Sequence, residues 1–175
     1  MTAGQQARFW SDRRGLAGVE FALLLPFLML LFLGTITLFQ LYRESRQLDQ
    51  ATSTMSDFVT RQTEVDDAFL TNGVGTRMRA LLGADADDFH YQVESVRKED
   101  GRFVVEWAYP RAEGSLLAAR PPDRNLPLVA EGDTLILLRT ALKRDFLFET
   151  LGVGSFTHRS VLAARPRFTQ HIAKR

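Results

Sequence analysis

Apolar residues follow three patterns along the chain, and the first is a long apolar run. No charged residue occurs between Phe21 and Phe39 in the stretch FALLLPFLMLLFLGTITLF. About 20 apolar residues in a helix cross the hydrocarbon core of a bilayer, so the run predicts a transmembrane helix. A cleavable secretory signal is the alternative, but its apolar region usually spans about 7–15 residues and ends at a small-residue site. The following residues, QLYRESRQ, offer no such site, and a retained anchor is favoured.

The second pattern has helical spacing. Apolar or small residues recur in steps of three, four or seven, at Leu41, Leu48, Ala51, Met55, Phe58, Val65 and Phe69. Because Asn72-Gly73 is the first clear stop signal, the spacing predicts that the membrane helix continues to about residue 71 as an amphipathic stalk. A short helix, TRMRALLG, is then predicted to end at Gly83.

The third pattern has a period of two, which is typical of β-strands. Its first run alternates Phe89, Tyr91 and Val93 with His90, Gln92 and Glu94, and its second places Phe103, Val105, Trp107 and Tyr109 on one predicted face. Asp100-Gly101 between the runs is a strong hairpin signal. Two later stretches, TLILLRTAL at 134–142 and SFTHRSVLA at 155–163, also predict strands.

Strands that follow a helix, without alternating with helices, indicate an α+β fold in which an antiparallel sheet packs on the helix. We therefore predict a long N-terminal transmembrane and stalk helix followed by a small antiparallel β-sheet domain. The predicted parts are a cytoplasmic leader at 1–15, a transmembrane helix at 16–41, an amphipathic stalk helix and short helix at 42–83, and the sheet domain at 84–175. The last residues, RPRFTQHIAKR, are interpreted as a solvated basic tail.

Charge and composition reduce the number of function classes that the chain could belong to. The 22 Lys and Arg residues against 21 Asp and Glu residues give a net charge of +1, and no basic face is concentrated enough to indicate a nucleic-acid partner. The absence of cysteine excludes disulfides and thiol chemistry. Before the apolar run, Arg8, Arg13 and Arg14 outweigh Asp12, which predicts a cytoplasmic N-terminus and an extracytoplasmic C-terminal domain.

Catalytic and metal-binding motifs are not found in the sequence. The three histidines, His90, His158 and His171, lie in different predicted elements and lack metal-site spacing. DADDFH lacks the glycine and glutamate that a calcium loop needs at its sixth and twelfth positions, and GVGSF does not match G-x-S-x-G. We therefore expect no enzymatic activity, no cofactor and no metal.

Glu20 is a charged residue directly before the apolar run. Placing a charged group within a bilayer costs about 2.5–3.5 kcal/mol, so its position there needs a reason. It follows a basic leader that ends at Gly15, a small residue that lets a protease approach the backbone. Cleavage after Gly15 would leave an amine on Leu16, about one helical turn from Glu20, and the carboxylate would neutralise it on the same chain or a neighbour. The alternative is a headgroup-level residue in an ordinary single-pass protein.

The stretch RRGLAGVEFALLLPF resembles the class III prepilin signal of the tight-adherence (Tad) secretion and pilus system, in particular that of the TadE/TadF-like minor pseudopilins. By this resemblance Gly15 precedes the cut, Leu16 is the new terminus, and Glu20 and Phe21 form the Glu-aromatic pair. Pro26 occupies the position of the proline in the family's EFALxLP pattern. The later stretches TLILLRTALKRDFLF, LGVGSF and AARPRF also resemble the usual ending of the family.

The resemblance implies a minor pilin of a Tad-type (Flp) pilus, cleaved by a prepilin peptidase at the cytoplasmic face. Its expected partners are that peptidase, other Tad pilins and pseudopilins, and the inner-membrane assembly platform. Its expected location is the bacterial inner membrane, with a role in adhesion and secretion. Phe21 replaces the usual tyrosine of the major pilin, and the chain is longer than a major pilin, which favours a minor component. The alternatives are a non-pilin single-pass sensor or binding protein and a membrane-tethered hydrolase.

Overall fold

The computed structural model describes residues 16–110, 117–145 and 154–175. The helices are α1 at Leu16–Thr60, a π-helix at Phe69–Thr76, α2 at Arg77–Leu82 and a 3-10 turn at Asp123–Asn125. The strands are β1 at Glu64–Val65, β2 at Phe89–Glu99, β3 at Arg102–Tyr109, β4 at Thr134–Arg144, β5 at Phe156–Ala164 and β6 at Ala173–Lys174. The chain divides into two compact units, Met1–Leu41 and Tyr42–Arg175, and α1 contributes to both. A long helix followed by an antiparallel sheet confirms the predicted α+β class.

The long helix α1 ends at Thr60 and not near residue 71 as the apolar spacing predicted. Its last carbonyl accepts a hydrogen bond from the backbone N–H of Arg167 at 2.8 Å. The chain is then extended in β1, and Asp66 accepts a hydrogen bond from the N–H of Phe69 at 2.6 Å, which starts the next helical segment as an N-cap does. Val65 continues the apolar stripe in the sequence, but it is buried through a strand.

Four antiparallel strands form the main sheet, in the order β3-β2-β4-β5. The predicted hairpin between β2 and β3 is confirmed. Asp100 and Gly101 both have positive φ, 49° and 76°, which is the backbone that an Asp-Gly hairpin turn requires. The two later stretches that predicted strands are β4 and β5. The helix α2 ends at Leu82, and Gly83 follows it as a C-cap in a left-handed conformation. The sheet follows the sequence pattern closely.

One side of the sheet packs on the second half of α1 and encloses the larger core. That core includes Leu48, Met55 and Val59 of α1 and the strand residues Val93 and Leu138. At the same interface, the hydroxyls of Thr52 and Thr140 are hydrogen-bonded at 2.8 Å and buried. A smaller cluster covers the opposite side and consists of Val96, Leu126, Val129, Leu135 and Leu137. The helix is therefore a structural layer of the sheet domain.

A β-bulge in β3 changes the face of its aromatic residues. Ser95 pairs with Trp107 and the next residue, Val96, pairs with Val105, so the pairing skips Glu106. An extra residue in one strand reverses the alternation of side chains beyond it. The sequence pattern placed Phe103 and Trp107 on one face, but Trp107 packs on the helix-side core and Phe103 on the opposite cluster. The prediction of a single aromatic face is wrong for this reason.

The C-terminal residues are not a solvated tail, because they are part of the core and of a second small sheet. β6 pairs in parallel with β1, and Ile172 is fully buried. The indole N–H of Trp107 donates to the carbonyl of Ile172 at 2.8 Å. The positive charges are also paired, since Lys174 lies 2.8 Å from Asp67 and Arg175 lies 2.8 Å from Glu64. The C-terminal residues thus close the domain.

Gly75 in the π-helix is expected to tolerate no side chain. A Cβ at this position would lie about 2.7 Å from the ring of Tyr91, whose hydroxyl donates to the carbonyl of Leu70 at 2.9 Å. The ring is held by that bond and by stacking on Phe89, so it cannot move freely. Overpacking of this kind costs about 1–3 kcal/mol, and Gly75→Ala should lower the melting temperature of the full chain in detergent. Gly154→Ala is the matched control, because open space surrounds Gly154.

Candidate functional site

The N-terminal part of α1 is long and apolar enough to cross a membrane. Its most apolar window has a mean hydropathy of 2.4, and none of that window is buried. The large apolar side chains are exposed around the helix, at Val19, Phe21, Leu23, Leu24, Leu25, Phe27, Leu28, Met29, Leu30, Leu31 and Phe32. A helix that is apolar on all sides requires a bilayer or partner helices. The structure is thus compatible with a single-pass anchor.

The two threonine hydroxyls inside this apolar segment are satisfied by the helix itself. The hydroxyl of Thr35 donates to the carbonyl of Leu31 at 2.8 Å, and that of Thr37 donates to Leu33 at 2.9 Å. Hydrogen bonds to the preceding turn leave no hydroxyl without a partner, which is the condition for placing such groups in lipid. The threonines are therefore compatible with the predicted membrane span.

The residues predicted to carry processing and assembly lie at the start of α1. Leu16 is its first residue, Glu20 and Phe21 follow within the second turn, and Pro26 lies inside the helix. Glu20 and Phe21 are exposed, and Glu20 has no ion-pair partner among the residues that the structure describes. Gly15 lies outside the described residues. The helical spacing places Leu16 and Glu20 one turn apart, and cleavage between Gly15 and Leu16 stays a prediction.

The histidines considered as metal ligands lie in separate places. Within residues 16–110, 117–145 and 154–175, no group of three or more His, Asp or Glu side chains is arranged to hold a metal ion. His158 on β5 is buried, with its Nε2 3.7 Å from a carboxylate oxygen of Glu44. Burial lowers the pKa of His158, and the neighbouring carboxylates of Glu44 and Asp49 oppose that shift. The neutral ring is a packed part of the domain.

A buried charged cluster on the outer side of the sheet was not predicted from the sequence. The side chain of Arg139 is 2% exposed and donates to the carboxylate of Glu94 and to the amide oxygen of Gln92. The Nη1 atom of Arg139 donates to the carbonyl of Ala118 at 3.0 Å. The alternating pattern of β2 separates Gln92 and Glu94 from the apolar face of the strand, and in the structure both are buried. The enclosed cluster joins β2, β4 and the segment at Ala118.

The tyrosines near the π-helix also have structural contacts. Burial raises the pKa of Tyr91 to about 12, with a further contribution from Tyr109. The hydroxyl of Tyr109 bonds to that of Thr71, which fixes β3 against the π-helix. A tyrosine that donates a hydrogen bond and resists ionisation is a neutral structural group.

Comparison with known proteins identifies the N-terminal segment. The family model described as TadE-like protein matches residues 15–55. The match contains all the residues singled out for processing and assembly, namely Gly15, Leu16, Glu20, Phe21 and Pro26. No curated protein and no solved structure is matched. The resemblance to the TadE-like family is confirmed for this segment, and it suggests a protein associated with the Tad pilus that interacts with other pilus components.

Proposed function

We propose, from the TadE-like segment at residues 15–55, that the chain is a minor pilin of a Tad-type pilus, is processed by a prepilin peptidase, and acts in pilus biogenesis through contacts with other proteins. The observation that carries the proposal is the position of the match. It coincides with the start of an exposed apolar helix whose second half is packed on a folded sheet domain.

Processing supplies a reason for the carboxylate in the apolar segment. A cut between Gly15 and Leu16 creates an amine at the first residue of α1, and Glu20 lies one helical turn away. A carboxylate and an amine that are taken out of water together are far less costly than either charge alone. Glu20 has no ion-pair partner among the described residues, so it is available to the amine of the same chain or of a neighbouring pilin.

The proposed location is the bacterial inner membrane, in a single pass. The excess of arginines in the leader favours a cytoplasmic N-terminus, on the side where the peptidase of such systems acts. The sheet domain is then extracytoplasmic and presents its surface to other pilus components. The proposed partners are the peptidase, other Tad pilins and pseudopilins, and the assembly platform. Adhesion and secretion follow only through the pilus that the protein helps to build.

The proposal is tested by the first residue of the protein recovered from its native membrane. We expect Leu16 as the N-terminal residue in cells with an active prepilin peptidase, and Met1 or Thr2 when the peptidase is deleted. Intact-mass measurement and N-terminal sequencing of the membrane-extracted protein separate these cases. A chain that begins at Met1 or Thr2 in both strains would leave Glu20 as an interfacial residue of a non-pilin single-pass protein.

A further inference from the structure

The two edges of the main sheet differ in how their backbone groups are covered. At the β3 edge, the N–H of Phe103 donates to the carboxylate of Asp123 at 3.1 Å, and Arg120 donates to the carbonyl of Phe103 at 2.8 Å. The loop that contains the 3-10 turn thus caps this edge. At the other edge, the only described strand that pairs with β5 is β4. An uncovered edge is a template for a further strand.

Two grooves flank the second half of β5, one on each face. The outer groove has a volume of about 260 Å³ and is lined by Pro121, Asn125, Leu126, Pro127, Val161 and Ala163. The inner groove has a volume of about 320 Å³ and is lined by Ser53, Ser56 and Asp57 of α1 and by Leu162, Ala164 and Arg167. Since successive side chains of a strand point to opposite faces, a strand added beside β5 would direct alternate side chains into the two grooves.

The chemistry of the grooves specifies the occupant. The outer groove is mainly apolar, whereas the inner groove is polar and contains two arginines, Arg165 and Arg167, against one carboxylate, Asp57. Asp57 is already paired with Arg61 at 2.8 Å and with Arg167. The hydroxyl of Ser56, which is 1% exposed, has no hydrogen-bond partner among the described residues. An acidic side chain would complement the excess positive charge and accept a hydrogen bond from Ser56.

A second copy of the chain does not fit this surface. No acidic residue occurs from Ser155 to Arg175. Pairing of two β5 strands through residues 161–164 would add a second Arg165 and a second Arg167 to the interface and no carboxylate from this segment, and like charges at an interface are unfavourable. The occupant is therefore another protein with acidic residues in an extended segment.

We propose that the outer edge of β5, which pairs with no further strand among the described residues, binds an extended segment of another protein by strand addition. Apolar side chains of that segment would lie in the outer groove and a carboxylate in the inner groove beside Ser56 and Arg167. This role goes beyond the proposed processing of the N-terminus and does not depend on it. The backbone of β5 provides affinity, and the two grooves select for alternating acidic and apolar residues.

The test uses the full chain in detergent micelles and a labelled, end-capped peptide, Thr-Val-Glu-Val-Thr-Val. Two comparison peptides are used. One carries Lys in place of Glu, and the other carries N-methylated backbone nitrogens, which cannot donate hydrogen bonds. We expect fluorescence anisotropy to show the Glu peptide binding about tenfold more tightly than the Lys peptide, as one favourable charge pair gives. The N-methylated peptide should not bind. Arg167→Glu, a change at a half-exposed side chain, should reverse the preference for Glu over Lys.

Val161→Lys should abolish binding of the Glu peptide by placing a charge in the apolar outer groove. The matched control is Val104→Lys on the capped β3 edge, which should bind as wild type. Circular dichroism checks that both variants fold. If Val161→Lys does not fold, the proposal is tested by Arg167→Glu alone, through the expected reversal of the preference for the Glu peptide. The proposal is overturned by no saturable binding up to about 1 mM, by equal affinity for the Glu and Lys peptides, or by loss of binding in Val104→Lys. None of these results changes the N-terminal residue, so failure here is distinct from failure of the pilin proposal.

Discussion

A chain carrying Gly15→Val is expected to accumulate at full length in cells that process the wild-type protein. Glycine lets a protease approach the backbone closely, and a branched side chain at the same position obstructs that approach. Pilus assembly should fail, because an unprocessed leader leaves no amine on Leu16 beside Glu20. Immunoblotting and intact mass measure the processing, and electron microscopy of cells measures piliation.

Two further variants separate the cut from its consequences. Gly18→Val is the matched control, because open space surrounds Gly18, and it should be processed as wild type. Glu20→Gln keeps the size of the side chain and removes its charge, so it should leave cleavage largely intact and weaken co-purification with other pilins. Normal processing of Gly15→Val would contradict the cleavage site. Normal co-purification and piliation of Glu20→Gln would contradict the proposed charge pair.

Removal of Arg139 is expected to have the largest effect on stability. Arg139→Met leaves the carboxylate of Glu94, which is 4% exposed, without its buried cation. An uncompensated buried charge of this kind costs about 3–5 kcal/mol. Urea unfolding of the full chain in detergent, followed by tryptophan fluorescence, measures the loss. The double variant Arg139→Met with Glu94→Gln should recover part of it, because a neutral amide is less costly to bury.

The matched control for this change is Arg175→Met at an exposed ion pair. The side chain of Arg175 is 77% exposed and lies 2.8 Å from Glu64. Surface pairs contribute about 0–1 kcal/mol, so this variant should unfold almost as wild type does. Equal effects of the two substitutions would show that the Arg139 cluster is not the buried structural unit described above.

The parts of the fold that were predicted correctly depend on short-range signals. The apolar run before Phe39 indicates the exposed helix by itself, and Asp100-Gly101 determines a hairpin because both residues accept positive φ. The TadE-like segment was likewise identifiable from Gly15, Glu20 and Phe21. Such features depend on neighbours in the sequence and need no knowledge of distant residues.

The features that were missed depend on partners far along the chain. Ile172 stands in a mostly polar stretch whose other large apolar residue, Phe168, is exposed, and the burial of Ile172 in the core shows that the C-terminal residues are folded. The bulge at Glu106 lies where the partners of β3 change from Ser95, opposite Trp107, to Val96, opposite Val105, and it reversed the predicted face of Phe103. Gln92 and Glu94 have the polar character of solvent-facing residues, and their burial depends on Arg139. For the end of α1, Asp66 is the local signal that was available, because it caps the segment that follows β1.

The parallel pair of β1 and β6 sets the order in which the domain can be completed during synthesis. β1 follows α1 directly in the sequence, whereas β6 and Ile172 belong to the last residues described. Closing this pair brings together segments separated by almost the whole domain, and contacts of such high sequence separation form slowly. The helix-side core thus remains open until residue 172 has been synthesised. Until then, the unfinished chain exposes apolar surface, and a chaperone that binds such surface would have its opportunity in that interval.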